Sequence, residues 1–318
     1  MDFNIIKEKV ENANDIAIFT HIIPDGDAIG SSCAFAQCLQ NIGKNAKVYI
    51  QEKLSDEFEK LNIGDLISYD APQNADLVII TDCSNSERVG IYEPFVKESK
   101  NSIAIDHHIA FNNFAVCNFV NVNSCSACEF LFDIFSDVGF KIDKRMAELL
   151  YLGIIRDSGG FMYNNTTSHS HDVTARLFDL GIDFERINRR YMNTISLKTS
   201  MILKTALNNL AFFDNNRFAM STITLQELKK YSANINDTGV IIGHILSIEP
   251  VEVAVLATEV NKNVFKVSIR CKFDVDANLI AQEFGGGGHK KASGCQIFGT
   301  REKVVEEFLR IIPKYLKG

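Results

Sequence analysis

No stretch of the 318-residue sequence reaches the ~18 consecutive apolar residues that a membrane-spanning helix needs, so no membrane partner is expected. The opening "MDFNIIKEKVENAND" reads as a charged, amphipathic helix rather than a signal peptide, and the expected location is cytoplasmic. An excess of basic charge is also missing. Lys and Arg total 33 against 40 Asp and Glu, a net charge of −7, which argues against a broad surface that holds long nucleic acid by counterion release. A small anionic substrate gripped by a local basic pocket stays compatible with that balance. The eight cysteines, Cys33, Cys38, Cys83, Cys117, Cys125, Cys128, Cys271 and Cys295, lack the density of a small secreted disulfide scaffold and read as reduced and mostly buried. There is no internal repeat, no low-complexity tract and no Pro/Gly/Ser-rich linker.

What is present is 46% hydrophobic residues in a chain long enough for two domains. The first half alternates apolar, β-rich runs with helical patterns: "IAIFTH", a helix from about Ala28 to Gln40, "AKVYI", "ADLVIITD" and "SIAIDHH". Near-continuous apolar strands between helices predict an α/β domain, a mostly parallel sheet with helices on both faces. Residues 1–184 form this expected domain, and the helical stretch 185–207 is read as the bridge. Residues 208–318 form a smaller α+β domain. In it, hairpins are expected around Asp214-Asn215-Asn216 and Asn261-Lys262-Asn263, followed by a helix, the loop "GGGGHKKASG", a short strand and a terminal helix.

Ligands of parallel sheets sit at the carboxyl ends of the strands. His21 follows the first run, Asp82 ends "ADLVIITD", and Asp106, His107 and His108 end "SIAIDHH"; Asp157 closes a helical pattern just before a Gly-Gly turn. Asp25 and Asp27 join them from "HIIPDGDAIGSS", where Gly26 is read as letting the turn aim the two carboxylates apart. Crowding Asp25, Asp27, Asp82 and Asp157 beside His21 and His107 is unfavourable unless cations neutralise the acids. Two divalent metals resolve the conflict. Mixed carboxylate and imidazole ligation suits manganese, iron, cobalt or zinc better than calcium, and manganese is the first choice. One Asp bridging two such ions would hold the spacing at which they clamp a phosphorus centre. Taken singly, Asp25 and Asp27 are also good turn and helix-cap residues, and a His-His pair after a strand is often structural. The convergence of four polar clusters on one sheet edge outweighs these readings.

"HIIPDGDAIGSS", "VIITDCSNSERVG", "IAIDHH" and "GIIRDSGGF" resemble, in order, the four motifs of the DHH phosphoesterase superfamily, and "FGGGGHKKASG" resembles the glycine-rich motif of its associated C-terminal domain. Size and arrangement are most like the bacterial oligoribonucleases of the NrnA type, which degrade very short RNA and dephosphorylate 3′-phosphoadenosine 5′-phosphate. The resemblance implies one metal on His21, Asp25 and Asp82 and a second on Asp27, Asp82, His107 and Asp157. It also implies that His108 faces the scissile phosphate while Asp106 orients the imidazoles.

In the second domain a four-glycine segment can be a flexible connector. Glycines also let backbone N–H groups approach an anion, with His289, Lys290 and Lys291 beside them. A Walker loop is excluded by the missing Gly-Lys-Ser/Thr ending. The resemblance implies that Gly286, Gly287, Gly288 and His289 hold the terminal phosphate or nucleotide, with Arg270 as partner; Arg270 alone reads equally as a strand-surface charge. A phosphate-anchored end and a catalytic centre on another domain would measure substrate length and favour a short oligoribonucleotide or small nucleotide.

Cys125-Ser-Ala-Cys128 matches a half-zinc or redox pattern, but it opens an amphipathic helix and has no second pair. His169 and His171 read as exposed residues at a helix start. Two residues depart from the family pattern: Cys83 stands where a small hydroxyl residue is expected, and Ser293 where alanine is common. The expected activity is hydrolysis of very short RNA to mononucleotides and of 3′-phosphoadenosine 5′-phosphate to AMP. A phosphodiesterase for cyclic dinucleotides or their linear products is the alternative, and a nucleotide-binding regulator without catalysis is the alternative of a different class. A homodimer is the assembly considered.

Overall fold

The computed structural model describes residues 1–55 and 57–316, and the chain divides into two compact units, Met1–Thr194 and Ile195–Gly318. The first is built on six strands: β1 Asp15–Phe19, β2 Asn45–Tyr49, β3 Ile67–Ser68, β4 Leu77–Thr81, β5 Ser102–Asp106 and β6 Cys117–Val120. All neighbours pair in parallel in the order β3-β2-β1-β4-β5-β6. Its helices are α1 Asn4–Glu11, α2 Gly26–Asn41, α3 Glu93–Glu98, α4 Ala127–Val138, α5 Lys144–Asp157, α6 Ser168–Asp179 and α7 Phe184–Tyr191.

The apolar runs are continuous because both sheet faces are covered. Ile16, Ile18, Leu77, Ile79, Ile103 and Ile105 face a core that includes Phe35, Phe135 and Leu150 from α2, α4 and α5. The alternate residues Ala17, Phe19, Val78, Ile80 and Ala104 face a second core with Val89, Tyr92 and Val96. This is the period-two division of a sheet buried on both sides. The strand order turns about between β1 and β4. At such a switch point the crossovers leave on opposite faces and open a crevice beyond the strands' carboxyl ends.

The second unit holds a mixed sheet in the order β11-β12-β10-β9-β8-β7, formed by β7 Ala211–Phe213, β8 Phe218–Ile223, β9 Val253–Asn261, β10 Val264–Cys271, β11 Gly287–His289 and β12 Ala292–Phe298. Only β8 and β9 pair in parallel; the other neighbours are antiparallel. Its helices are α8 Leu197–Asn208, α9 Leu225–Lys230, α10 Ile241–Ser247, α11 Ala277–Gln282 and α12 Arg301–Ile311. One sheet face packs Phe265, Val267 and Ile269 against Ile280 and Phe308, and the other packs Ala219, Ala254 and Leu256 against Ile202 and Ile245. Both expected hairpins form, with Asp214, Asn215, Asn216 and Asn263 at positive φ, which Asn and Asp tolerate better than other side-chain-bearing residues.

Two expectations are corrected. The stretch 185–207 is not one bridging helix: α7 ends at Tyr191, α8 begins at Leu197 capped by Ser196, and the units part between Thr194 and Ile195. The glycine-rich segment is not a free loop, because Gly287–His289 pairs with Ala292–Gly294 as an edge strand. Among the described residues no helix is long and apolar enough to cross a membrane.

Candidate metal centre

Each acid and imidazole reaches the crevice from the end of an element. His21 follows β1 and is 7% exposed, while Asp82 follows β4 and is 2% exposed. These two strands flank the switch point. Asp82 adopts φ 51°, so the chain leaves the strand in a left-handed turn at the residue that carries the carboxylate. Asp106 is the last residue of β5, and His107 and His108 come directly after it. Asp25 caps α2, its Oδ1 accepting from the N–H groups of Asp27 at 3.0 Å and Ala28 at 3.1 Å. Its other oxygen lies 4.0 Å from His21 Nε2, so the cap occupies one oxygen of the carboxylate and leaves the other facing the imidazole. Asp157 closes α5, which packs along α2.

All eight expected residues of this edge are brought together. His21, Asp25 and Asp82 offer three donor atoms within 4.8 Å of one another, and Asp27, His107 and Asp157 offer another three on the same terms. Asp82 stands between the groups: its Oδ2 is 3.7 Å from His21 Nε2 and its Oδ1 is 3.6 Å from His107 Nε2. His107 Nε2 also lies 3.8 Å from Asp27 Oδ2 and 3.2 Å from Asp157 Oδ2. Asp106 Oδ1 accepts from the N–H groups of His107 at 2.6 Å and His108 at 3.0 Å, and from His108 Nδ1 at 2.6 Å.

The donor set fits divalent cations on two grounds. Asp82 Oδ1 and His107 Nε2 are buried without a partner in hydrogen-bonding geometry, a costly state for polar atoms that a cation relieves. The acids also repel: burial, then the neighbouring Asp157, push Asp27 up to about 7, and burial with Asp27 and Asp25 pushes Asp82 well above the carboxylate range. Burial opposes charge on His107, but Asp157, Asp27 and Asp82 outweigh it and raise its imidazole to about 10. Burial lowers His21 below the usual imidazole range, which keeps it neutral and suited to ligation. Burial raises Asp106 less than its bonds to His108 and to the two N–H groups lower it, so it is held as a carboxylate.

The grip on Asp27 was not visible in the sequence. Its Oδ2 accepts from Ala127 N–H at 2.6 Å and its Oδ1 from Cys128 N–H at 2.9 Å, the free donors of the first turn of α4. Gly153 of α5 makes room for this: a Cβ there would lie 2.5 Å from Asp27 Oδ1 and 2.2 Å from Cys128 Sγ. The sequence signal available was Ser126-x-x-Glu129, a capping-box spacing that marks a helix start hidden behind the Cys-x-x-Cys pattern. Gly26 is the first residue of α2, between the cap Asp25 and Asp27, and a Cβ there would meet Arg156 Cγ at 2.3 Å. Burial pushes the Cys83 thiol up to about 12, which makes it a poor thiolate; His169 pairs with Asp133 at 2.9 Å on the surface.

In the second unit, β10 pairs Arg270 with Ala292, and β11 pairs His289 with the same Ala292, so Arg270 and His289 flank one position of β12. Gly287, Gly288 and His289 are exposed, and Gly288 N–H donates to Asn278 Oδ1 at 3.0 Å. A Cβ on Gly286 would lie 2.2 Å from Gly294 O, so the position just before this strand is closed to any side chain.

Comparison with known proteins matches residues 15–154 to the DHH family, N-terminal domain, and residues 215–318 to the DHHA1 domain. Over 300 residues the chain is 27% identical to a probable bifunctional oligoribonuclease and PAP phosphatase NrnA of Streptococcus mutans, covering 94% of this chain and 95% of that protein. A bifunctional oligoribonuclease and PAP phosphatase NrnA of Thermus thermophilus is 29% identical over 296 residues, 89% of this chain and 84% of that protein. The crystal structure of an exopolyphosphatase-related protein from Bacteroides fragilis matches with a TM-score of 0.88 at 28% identity, covering 98% of this chain and 96% of that one. Donors converging at a switch point and both domain matches have one reading: this chain belongs to the DHH family, with a DHH domain followed by a DHHA1 domain.

Proposed function

We propose that the protein is a divalent-metal-dependent phosphoesterase that hydrolyses very short RNA to mononucleotides and 3′-phosphoadenosine 5′-phosphate to AMP. The observation that carries this reading is the pair of donor groups meeting at Asp82. His21, Asp25 and Asp82 would hold one cation, and Asp27, Asp82, His107 and Asp157 the other, manganese being the ion favoured by this mixture of oxygen and imidazole donors. When bound, the ions supply a hydroxide at neutral pH and offset phosphate charge. Asp106 engages His108 at Nδ1, which leaves Nε2 of this partly exposed ring to meet the scissile phosphate or give a proton to the leaving oxygen. The same carboxylate pins the two peptide N–H groups behind the His107-His108 pair, so both rings start from a fixed backbone. In the second unit, Arg270, Gly286, Gly287, Gly288 and His289 would hold the substrate's terminal phosphate. The relatives' names support the choice of substrates.

The test is turnover by the full chain with manganese on linear dinucleotides, cyclic dinucleotides, 3′-phosphoadenosine 5′-phosphate, pyrophosphate and long single strands. Cleavage of linear dinucleotides and of the 3′-phosphate, lost in Asp82→Ala, is expected. Preference for cyclic dinucleotides, equal cleavage of long strands, or no metal-dependent turnover would each overturn the reading.

A further inference from the structure

Glu129 is 1% exposed, and its carboxyl group turns back onto the residues before its own helix. Oε1 accepts from Cys125 N–H at 3.0 Å and lies 2.9 Å from Ser124 Oγ, while Oε2 lies 3.1 Å from Cys125 Sγ. In a capping box the third helical residue closes on the N-cap N–H; here Glu129 reaches one residue further back and closes a loop.

That loop touches two members of one donor group and is tied to the third through Asn165. Ser124 carbonyl oxygen stands 3.4 Å from His107 Nδ1, on the side of the ring opposite the Nε2 donor. Ala127 and Cys128 N–H groups hold the two oxygens of Asp27. Asn165 Nδ2 donates to Cys125 carbonyl oxygen at 2.9 Å and to Asp157 carbonyl oxygen at 3.0 Å, which ties the loop to the main chain that carries the third donor. His21 and Asp25 receive none of these bonds; Asp25 spends its capping oxygen on the start of α2.

We infer that residues 124–128 are the common mount of the Asp27, His107 and Asp157 group, and that Glu129 and Asn165 are positioning residues for the cation held there. The inference rests on the proposed metal site. A donor group tied to one loop loosens as a unit, whereas His21, Asp25 and Asp82 accept no hydrogen bond from that loop. Outer partners of metal ligands typically set affinity by about 10–100-fold.

The test is calorimetric titration of the metal-free full chain with manganese, for wild type, Glu129→Gln and Asn165→Ala. Asp157→Asn and His21→Gln identify which binding step belongs to which group. Glu129→Gln and Asn165→Ala are expected to weaken the Asp157-dependent step by about 10–100-fold and to leave the His21-dependent step at wild-type affinity, with metal-free circular dichroism unchanged. Movement of neither step overturns the inference, and so does equal weakening of both, which marks general loosening. Where Glu129→Gln does not fold, Asn165→Ala decides by the same criterion. Wild type that binds no manganese overturns the metal reading itself, an outcome distinct from wild-type binding that the variants fail to alter.

Discussion

Gly153→Ala sets two physical effects of opposite sign against each other. Gly153 lies inside α5, where replacing glycine by alanine should stabilise the helix by about 0.5–1 kcal/mol. The added Cβ would lie 2.2 Å from Cys128 Sγ, 2.5 Å from Asp27 Oδ1 and 2.9 Å from Cys128 Cβ, all closer than side-chain carbons approach. Overpacking of this kind costs about 1–3 kcal/mol. Cys128 and Asp27 are both fully buried, and Asp27 is pinned by two N–H groups, so neither can swing aside. The clash should win, with a net loss of about 1–2 kcal/mol and a fall of about 2–8 °C in the melting temperature of a unit this size. Metal affinity should fall with it, because the displaced carboxylate belongs to the centre. Cys128→Ala removes the nearer obstacle, so the double variant should recover part of the loss, a coupling above about 0.5 kcal/mol in a denaturant-unfolding cycle. A Gly153→Ala protein that is more stable than wild type and binds manganese as tightly would show that the helices have room to spare, and the packing argument would fail.

Stability of the metal-free protein should fall as pH rises from about 6.5 to 9. Asp27 holds its proton up to about 7 against an ordinary 3.8, and His107 up to about 10 against 6.5, so the folded state binds more protons than the unfolded one through this window. Each group contributes on the order of 1.4 kcal/mol per pH unit while it differs, and His21, lowered by burial, opposes them only below 6.5. Thermal melts with chelator against melts with manganese check this: the slope should vanish or reverse with metal, and a metal-free melting temperature that rises across the window contradicts it. Arg270→Gln and His289→Ala should lower kcat/KM on short RNA by about 10–100-fold, mainly through KM, as loss of a charged hydrogen bond to phosphate predicts. Steady-state kinetics read this directly, and a pure kcat defect would move these residues out of the binding role.

Much of the first unit was legible because its chemistry follows its strands. "IAIFTH", "ADLVIITD" and "SIAIDHH" are apolar until the sheet ends and polar where it stops, so the reader of the sequence finds the crevice at His21, Asp82 and Asp106. What stayed hidden depends on contacts distant in sequence. Ala127 and Cys128 meet Asp27 across a hundred residues, and no local pattern announces a pairing of that range. Gly153 looks like an ordinary helix glycine until α2 and α4 are placed against it. The glycine-rich segment reads as a loop for a related reason: glycines have low strand propensity, and only the partner β12 turns Gly287–His289 into an edge strand. The break between α7 and α8 carries no sequence signal because "MNTIS" contains neither proline nor glycine.

Asp82 as the shared carboxylate is the centre of this account, and anomalous diffraction from manganese-soaked crystals observes it without recourse to activity. Two peaks about 3.5–4 Å apart are expected, one beside His21 and Asp25, the other beside Asp27, His107 and Asp157, with Asp82 contacting both. No peak in the crevice, or a single ion that does not touch Asp82, would contradict it.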